Sequence, residues 1–302
     1  LNELGKKYNV TWSQIMLRWQ IQKGYILLPK SVTPKRIISN GDLFGFEMTK
    51  EEMDKLDELK KENFRVMFNW LNEVEWDDNY VVDKVESASA SAANEDTKEK
   101  EPESEPEVEV KAKVEAEPEM KVNEKLGSTV LKFNDGNVIP QIGLGTFLKS
   151  RTVKYFRKKD EELSKEQIEQ DKKDDEKEEM EFRNAVLTAV RNGYRHIDTA
   201  QVYRTEVVIA GALKTLFEEN VVKREDLFIT TKVARTVRKL DEVRKSVENS
   251  LKDLELDYID LFLIHSPHSN NEEGTRGHDV IEQYKILHEY KAKGKIKSVG
   301  VS

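Results

Sequence analysis

The sequence predicts an α/β fold built on a parallel sheet, with one long stretch that does not fold. Two observations carry this. From residue 127 onward, short apolar β-rich runs alternate with longer segments whose apolar residues recur at helical spacing. Between about 84 and 126 the composition shifts to Glu, Ser, Pro and Ala with almost no aromatic residues, a texture that cannot bury enough apolar surface to offset its ordering entropy.

Composition bounds the reading first. The chain has 302 residues, enough for one large α/β barrel or two ordinary domains. Charged residues make up 36%, well above the roughly one quarter usual for a compact domain, so a charged, unfolded portion is expected. The net charge of -8 disfavours a nucleic-acid binder. No cysteine is present, which excludes disulfides, thiolate metal sites and cysteine nucleophiles and fits a reducing, cytoplasmic setting. No apolar run reaches the ~18 residues of a membrane span, and no signal peptide is visible. The chain opens on Leu1 and closes on Ser302 just after an apolar run, so a longer reading frame on both sides is expected.

The elements follow in order. LNELGKKY reads as a short helix. Thr11 is placed to N-cap a second, with Ile15, Trp19 and Ile21 as buried candidates and Gly24 as its stop. YILL (25–28) reads as a strand buried on both faces. Pro34 opens a helix after Thr33, and Thr49 with Glu52 forms a capping box for the next. The acidic stretch 84–126 reads as a solvated spacer, with an acidic interaction tail as the sharper alternative. VLKFNDGNVIPQ is a hairpin turning at Asp135-Gly136. IGLGTF, YRHID, LFITTKV, YIDLFLIH and IKSVGVS are strands, and the segments between them carry helical spacing. A Lys/Asp/Glu-rich insertion (149–181) interrupts the first strand–helix connection. It reads as solvated helix or disorder, or alternatively as a lid.

In a β/α barrel the residues just past the carboxyl ends of the strands carry the chemistry. Asp198, Lys232 and His265 fall there, with Tyr203 five residues beyond Asp198. A buried ammonium beside a phenol favours the phenolate, a carboxylate fixes the ammonium, and an imidazole hydrogen-bonds a carbonyl oxygen. Together these groups suit a general acid that protonates a developing alkoxide. Singly, each has a duller account: a cap, a core ring, a snorkelling amine, a satisfied strand-end histidine. Four on successive strand ends shift the balance.

HIDTAQVYRTE (196–206), with GLGTF (143–147), FITTKV (228–233), DYIDLFLIHSP (257–267) and GKIKSVGVS (294–302), resembles the aldo-keto reductases. The resemblance implies a (β/α)8 TIM barrel of which 127–302 supplies the hairpin and the first five strands. It implies NADP(H)-dependent reduction of small-molecule aldehydes or ketones, with Tyr203 as proton donor, Lys232 and Asp198 tuning it, and His265 orienting the carbonyl. Thr146 and Ser302 would touch the nicotinamide or its carboxamide, and Phe147 would wall the substrate pocket. Residues 10–40 resemble the last strand and cofactor-phosphate helix of the same family, placing Lys30, Ser31, Val32, Thr33, Arg36 and Asn40 about the adenosine 2′-phosphate. Cations around a helix N-terminus agree with that assignment. Residues 63–83 resemble the C-terminal loop.

The order departs from that pattern. Tail (1–83), linker (84–126) and head (127–302) follow one another, and the stretch holding the sixth and seventh strands and a nicotinamide-stacking aromatic has no counterpart. A cut across two tandem units gives this order, with adjacent reductase units of the same polypeptide as partners. A permutation would not delete two strands. At most six of eight strands are then present, and the isolated chain is expected to be inactive or very weakly active. Ala234-Arg235 and Ser266 stand where aromatic pocket residues are common, which leaves the substrate open. A non-catalytic scaffold of tandem barrels, or an inactive fragment, is the alternative.

Overall fold

Five parallel strands form the sheet: β3 (Gly143–Gly145), β4 (His196–Asp198), β5 (Phe228–Lys232), β6 (Ile259–Ile264) and β7 (Ile296–Val301), paired in that sequential order. The structure is a computed structural model describing residues 1–58, 123–156, 164–233, 239–266 and 280–302. These residues fall within one compact unit that joins the amino-terminal segment to the strand-rich part. The C-terminal-loop assignment (63–83), nearly all of the linker and Ala234-Arg235 lie outside the described residues.

Four helices come first: α1 (Asn2–Tyr8), α2 (Trp12–Gln22), α3 (Pro34–Gly41) and α4 (Lys50–Glu58). Thr11 caps α2, its hydroxyl accepting from the Gln14 N–H while the Gln14 side chain returns to the Thr11 N–H. Pro34 occupies the first turn of α3, where its missing N–H costs nothing. The Thr49 N–H donates to the Glu52 carboxylate at 2.9 Å, the reciprocal half of the expected box.

The 25–28 segment pairs in parallel with the residue just before β3 through a single bridge, Leu27 to Ile142. The Leu27 N–H donates to the Gln141 carbonyl, and the Gly143 N–H to the Leu27 carbonyl, both at 2.8 Å. Of the four residues only Leu27 is buried; Tyr25, Ile26 and Leu28 are exposed. The expectation of burial on both faces is therefore corrected. Alternation returns because this segment lies at the rim of the described array, with β3 as its one strand partner there.

One apolar cluster unites Ile21, Leu27, Ile37 and Leu43 with Ile142, Leu144, Ile197, Ile229 and Phe262. Polar ties reinforce it: the buried Tyr194 hydroxyl donates to the Ile37 carbonyl at 3.0 Å, and the Gln141 amide to those of Ile21 and Tyr25. The spacer assignment runs too far toward the sheet. Helix α5 (Glu124–Ser128) begins inside it, and Leu126 is buried in this core, where an added Cβ on Gly41 would sit 2.9 Å from its side chain. A lone leucine in a polar run carries no periodicity to reveal this.

The hairpin, β1 (Val130–Lys132) against β2 (Val138–Pro140), turns at Gly136 with φ +90°. Ile139 packs with Phe228 and Leu261, and Asn137 donates to the Ser298 hydroxyl at 2.9 Å, tying the hairpin to β7. Helices α6 (Lys149–Phe156), α7 (Lys165–Arg191), α8 (Glu206–Glu218), α9 (Leu240–Asp253) and α10 (Val280–Ala292) complete the fold. Where it is described, the charged insertion is helical. It supplies α6 and the first half of α7, whose buried residues begin only at Phe182. Ser164 caps α7 in a box with Gln167, and Ile168 and Met180 stay exposed. Among the described residues no helix is long and apolar enough to cross a membrane.

His196 on β4 is fully enclosed. Its Nε2 lies 3.0 Å from the Thr230 hydroxyl, and a Cβ on Gly143 would approach its Nδ1 to 2.6 Å. Burial holds its pKa down at about 3 against an ordinary 6.5, with the Lys232 charge adding to the effect. The unfolded chain therefore takes up a proton that the native chain refuses as pH falls below 6.5, and native stability drops down to about pH 3. The slope from this group is about 1.4 kcal/mol per pH unit. Urea unfolding at pH 7 and pH 5 should show a loss of about 2 kcal/mol that His196→Gln largely removes. An equal loss in both proteins would refute the assignment.

Candidate active site

Residues at five successive strand ends meet at the carboxyl edge of the sheet. Register explains this: Gly145 pairs with Asp198, Asp198 with Thr230, and Lys232 with Leu263, so Thr146, Thr199, Lys232, His265 and Ser302 fall along one rim.

The Lys232 ammonium donates to Asp198 Oδ1 and to the Thr199 carbonyl, each at 2.8 Å. Both side chains are buried, with 6% and 10% exposure. Burial pushes the Asp198 carboxyl up and the Lys232 ammonium down, and their mutual contact opposes both shifts. A chain of buried hydroxyls braces the loop between them: Thr146 donates to the Asp198 carbonyl at 2.9 Å, and Thr205 lies 3.4 Å from Thr146 and 3.0 Å from Thr199.

Tyr203 ends a single 3-10 turn (Gln201–Tyr203), and Arg204 follows it in the left-handed region, φ 57°. Lys232 Nζ lies 5.0 Å from the centre of the Tyr203 ring. The ring meets Phe147 edge-on at 5.2 Å and His265 at 5.7 Å. All four polar candidates and the candidate wall residue thus converge. Phe147, Tyr203 and His265 are half-buried.

The amino-terminal candidates reach the same rim. The Gly145 N–H donates to the Pro29 carbonyl at 3.1 Å, and a Cβ on Gly145 would come within 2.6 Å of the Leu28 carbonyl and 3.5 Å of Lys30 Cβ. Only glycine allows this approach. Ser31 accepts from the Thr33 N–H at 3.0 Å, shaping the turn into α3. Lys30, Thr33 and Arg36 are exposed, Ser31 and Asn40 are half-buried, and Val32 packs against the core. Among the described residues neither Lys30 nor Arg36 has an acidic ion-pair partner. Thr146 is wholly buried, and its hydroxyl donates to the Asp198 carbonyl and lies 3.4 Å from that of Thr205. Ser302 is exposed beside His265, its N–H donating to the Ile264 carbonyl at 2.9 Å.

Sequence reasoning missed Glu206. This carboxylate at the start of α8 is buried, accepts from the Thr231 hydroxyl at 2.7 Å, and is held above the ordinary carboxylate range by burial. Its charge also bears on Lys232. The signal available was an acid opening the apolar run VVIAGAL.

The rim thus holds a buried ammonium–carboxylate pair beside a phenol and an imidazole at the carboxyl edge of a parallel sheet. Residues 166–302 match the model of the Aldo/keto reductase family. Curated relatives include mouse aldo-keto reductase family 1 member C13, 35% identical over 184 residues, covering 57% of this chain and 49% of the relative. Another is the glycerol 2-dehydrogenase (NADP(+)) of Saccharomyces cerevisiae, 35% identical over 193 residues, covering 57% and 51%. Among solved structures, the Bombyx mori aldo-keto reductase AKR2E4 in complex with NADP is 33% identical and covers 57% of this chain and 49% of that one, with a TM-score of 0.44. The chain spans about half the length of the curated relatives it matches.

Proposed function

We propose that this rim is an NADPH-dependent carbonyl-reducing site acting on aldehydes or ketones, with Tyr203 as general acid. The observation that carries the reading is the buried Lys232–Asp198 pair beside the Tyr203 ring, with His265 edge-on to the same ring. Bound NADPH supplies the hydride. The chain's own residues hold the substrate oxygen between the Tyr203 hydroxyl and His265, and deliver the phenolic proton to it as negative charge develops. Lys232 supports the phenolate left behind, Asp198 keeps the ammonium fixed, and Phe147 shields one side from water. In this reading Ser302 meets the nicotinamide end, and Thr146 acts by fixing the Asp198 strand end.

The donor set fits the cofactor's phosphate end. Three cations, Lys30, Lys35 and Arg36, stand about the α3 N-terminus, where orphaned N–H groups and the helix dipole already favour an anion. Arg36 is positioned to fork onto a 2′-phosphate, Lys30 adds charge, and Ser31, Thr33 and Asn40 line the approach. Arg36→Ala should weaken NADPH binding about tenfold, the equivalent of ~1.5 kcal/mol for a charged hydrogen bond. NADH binding should barely change. Cofactor fluorescence titrations of both proteins with both nucleotides read this, and equal losses for NADPH and NADH would reject a 2′-phosphate site. Because the chain spans about half of its relatives, steady-state turnover by these 302 residues alone is expected to be weak at most.

A further inference from the structure

We propose that Arg151, inside the charged insertion, is a positioning residue that sets where the Tyr203 ring stands over Lys232. The proposal rests on the reading of Tyr203 as the working phenol. Helix α6 packs on the Gln201–Tyr203 turn. From it the Arg151 guanidinium, 14% exposed, donates through Nη1 to the carbonyl of Arg204 at 3.0 Å and through Nη2 to Glu179 at 2.9 Å. Its Nε lies 3.9 Å from Glu178, which also accepts from the Ser150 hydroxyl.

Arg204 is the residue immediately after Tyr203 and holds a left-handed conformation that a residue with a side chain seldom adopts. Such a conformation persists where neighbours over-determine it. Below, the Thr146–Thr205–Thr199 hydroxyls fix the start of the following helix. Above, the Arg151 side chain donates to the Arg204 carbonyl. A planar fork bound on two sides transmits position better than a single point charge. The acidic run of α7 thus anchors the guanidinium, and the guanidinium anchors the turn. The insertion is thereby built into the site rather than merely carried beside it.

The test uses the full chain with ring-labelled tyrosine, the Tyr203 signal being identified by its loss in Tyr203→Phe. In the unaltered protein, cross-relaxation should link the Tyr203 ring to those of Phe147 and His265. In Arg151→Ala both cross-peaks should be lost and the Tyr203 signal displaced, with Arg151→Lys restoring part of each. Arg244→Ala, which breaks the exposed Arg244–Glu289 pair, should change neither. Unchanged Tyr203 signals in a folded Arg151→Ala protein would overturn the proposal. If that variant does not fold, the Glu178→Gln/Glu179→Gln protein decides: a displaced Tyr203 signal supports the clamp, and an unmoved one overturns it. The readout needs no turnover, so a displaced ring together with failed NADPH and aldehyde assays would keep the clamp and reject the reductase reading.

Discussion

Replacing Lys232 by methionine is expected to destabilise the fold by roughly 3–5 kcal/mol. For a unit of this size that lowers the melting temperature by roughly 6–20 °C. The variant keeps the volume of the side chain but strands the Asp198 carboxylate, 10% exposed, without the ammonium 2.8 Å away. It also removes the donor to the Thr199 carbonyl. A buried charge left alone costs more than the pair contributed, because the desolvation remains while the attraction is gone. The companion change is therefore informative. Lys232→Met combined with Asp198→Leu removes both charges and should recover most of the loss. Calorimetric melting of the three proteins checks this. A single variant within 1 kcal/mol of the parent, or a double variant less stable than the single, would show that the pair is not the buried unit described.

Tyr203→Phe should do the opposite: little to the fold and nearly everything to the chemistry. The ring contacts with Phe147 and His265 are kept, so stability should stay within about 0.5 kcal/mol. NADPH binding should be unchanged, since the phosphate-end candidates lie on α3 and the turn before it. Reduction of a generic aromatic aldehyde should fall by roughly 10²–10⁴-fold, the range for loss of a positioned general acid. A variant that binds NADPH normally but fails to reduce separates proton delivery from cofactor capture.

Much of this site was legible in the sequence because strand ends are local. Once FITTK and YIDLFLI are read as strands, Lys232 and His265 have to emerge at the same edge, and parallel register does the rest. The cap at Thr11 and the box at Thr49 were legible for the same reason, since their partners lie three residues away. What depends on distant neighbours was not. YILL looks like a doubly buried strand, yet its exposure is set by what lies beyond it. Leu126 looks like spacer because its neighbour Gly41 is far off in sequence. Arg151 stands in a run where nearly every residue is charged, and nothing local separates the guanidinium that reaches Arg204 from those that face solvent. Nor does anything local show that the Thr146 hydroxyl engages the Asp198 carbonyl and the Thr205 hydroxyl, which lie 52 and 59 residues away.

The central claim is that the Tyr203 hydroxyl hands its proton to a carbonyl oxygen receiving hydride at this rim. Its most direct test is a single turnover with the protein in excess, NADPH deuterated at the transferable position and an aromatic aldehyde, read by mass spectrometry of the alcohol. The product should carry one deuterium, even if only in trace yield, and none above background should form with Tyr203→Phe. Labelled alcohol formed equally well by the phenylalanine variant would contradict it.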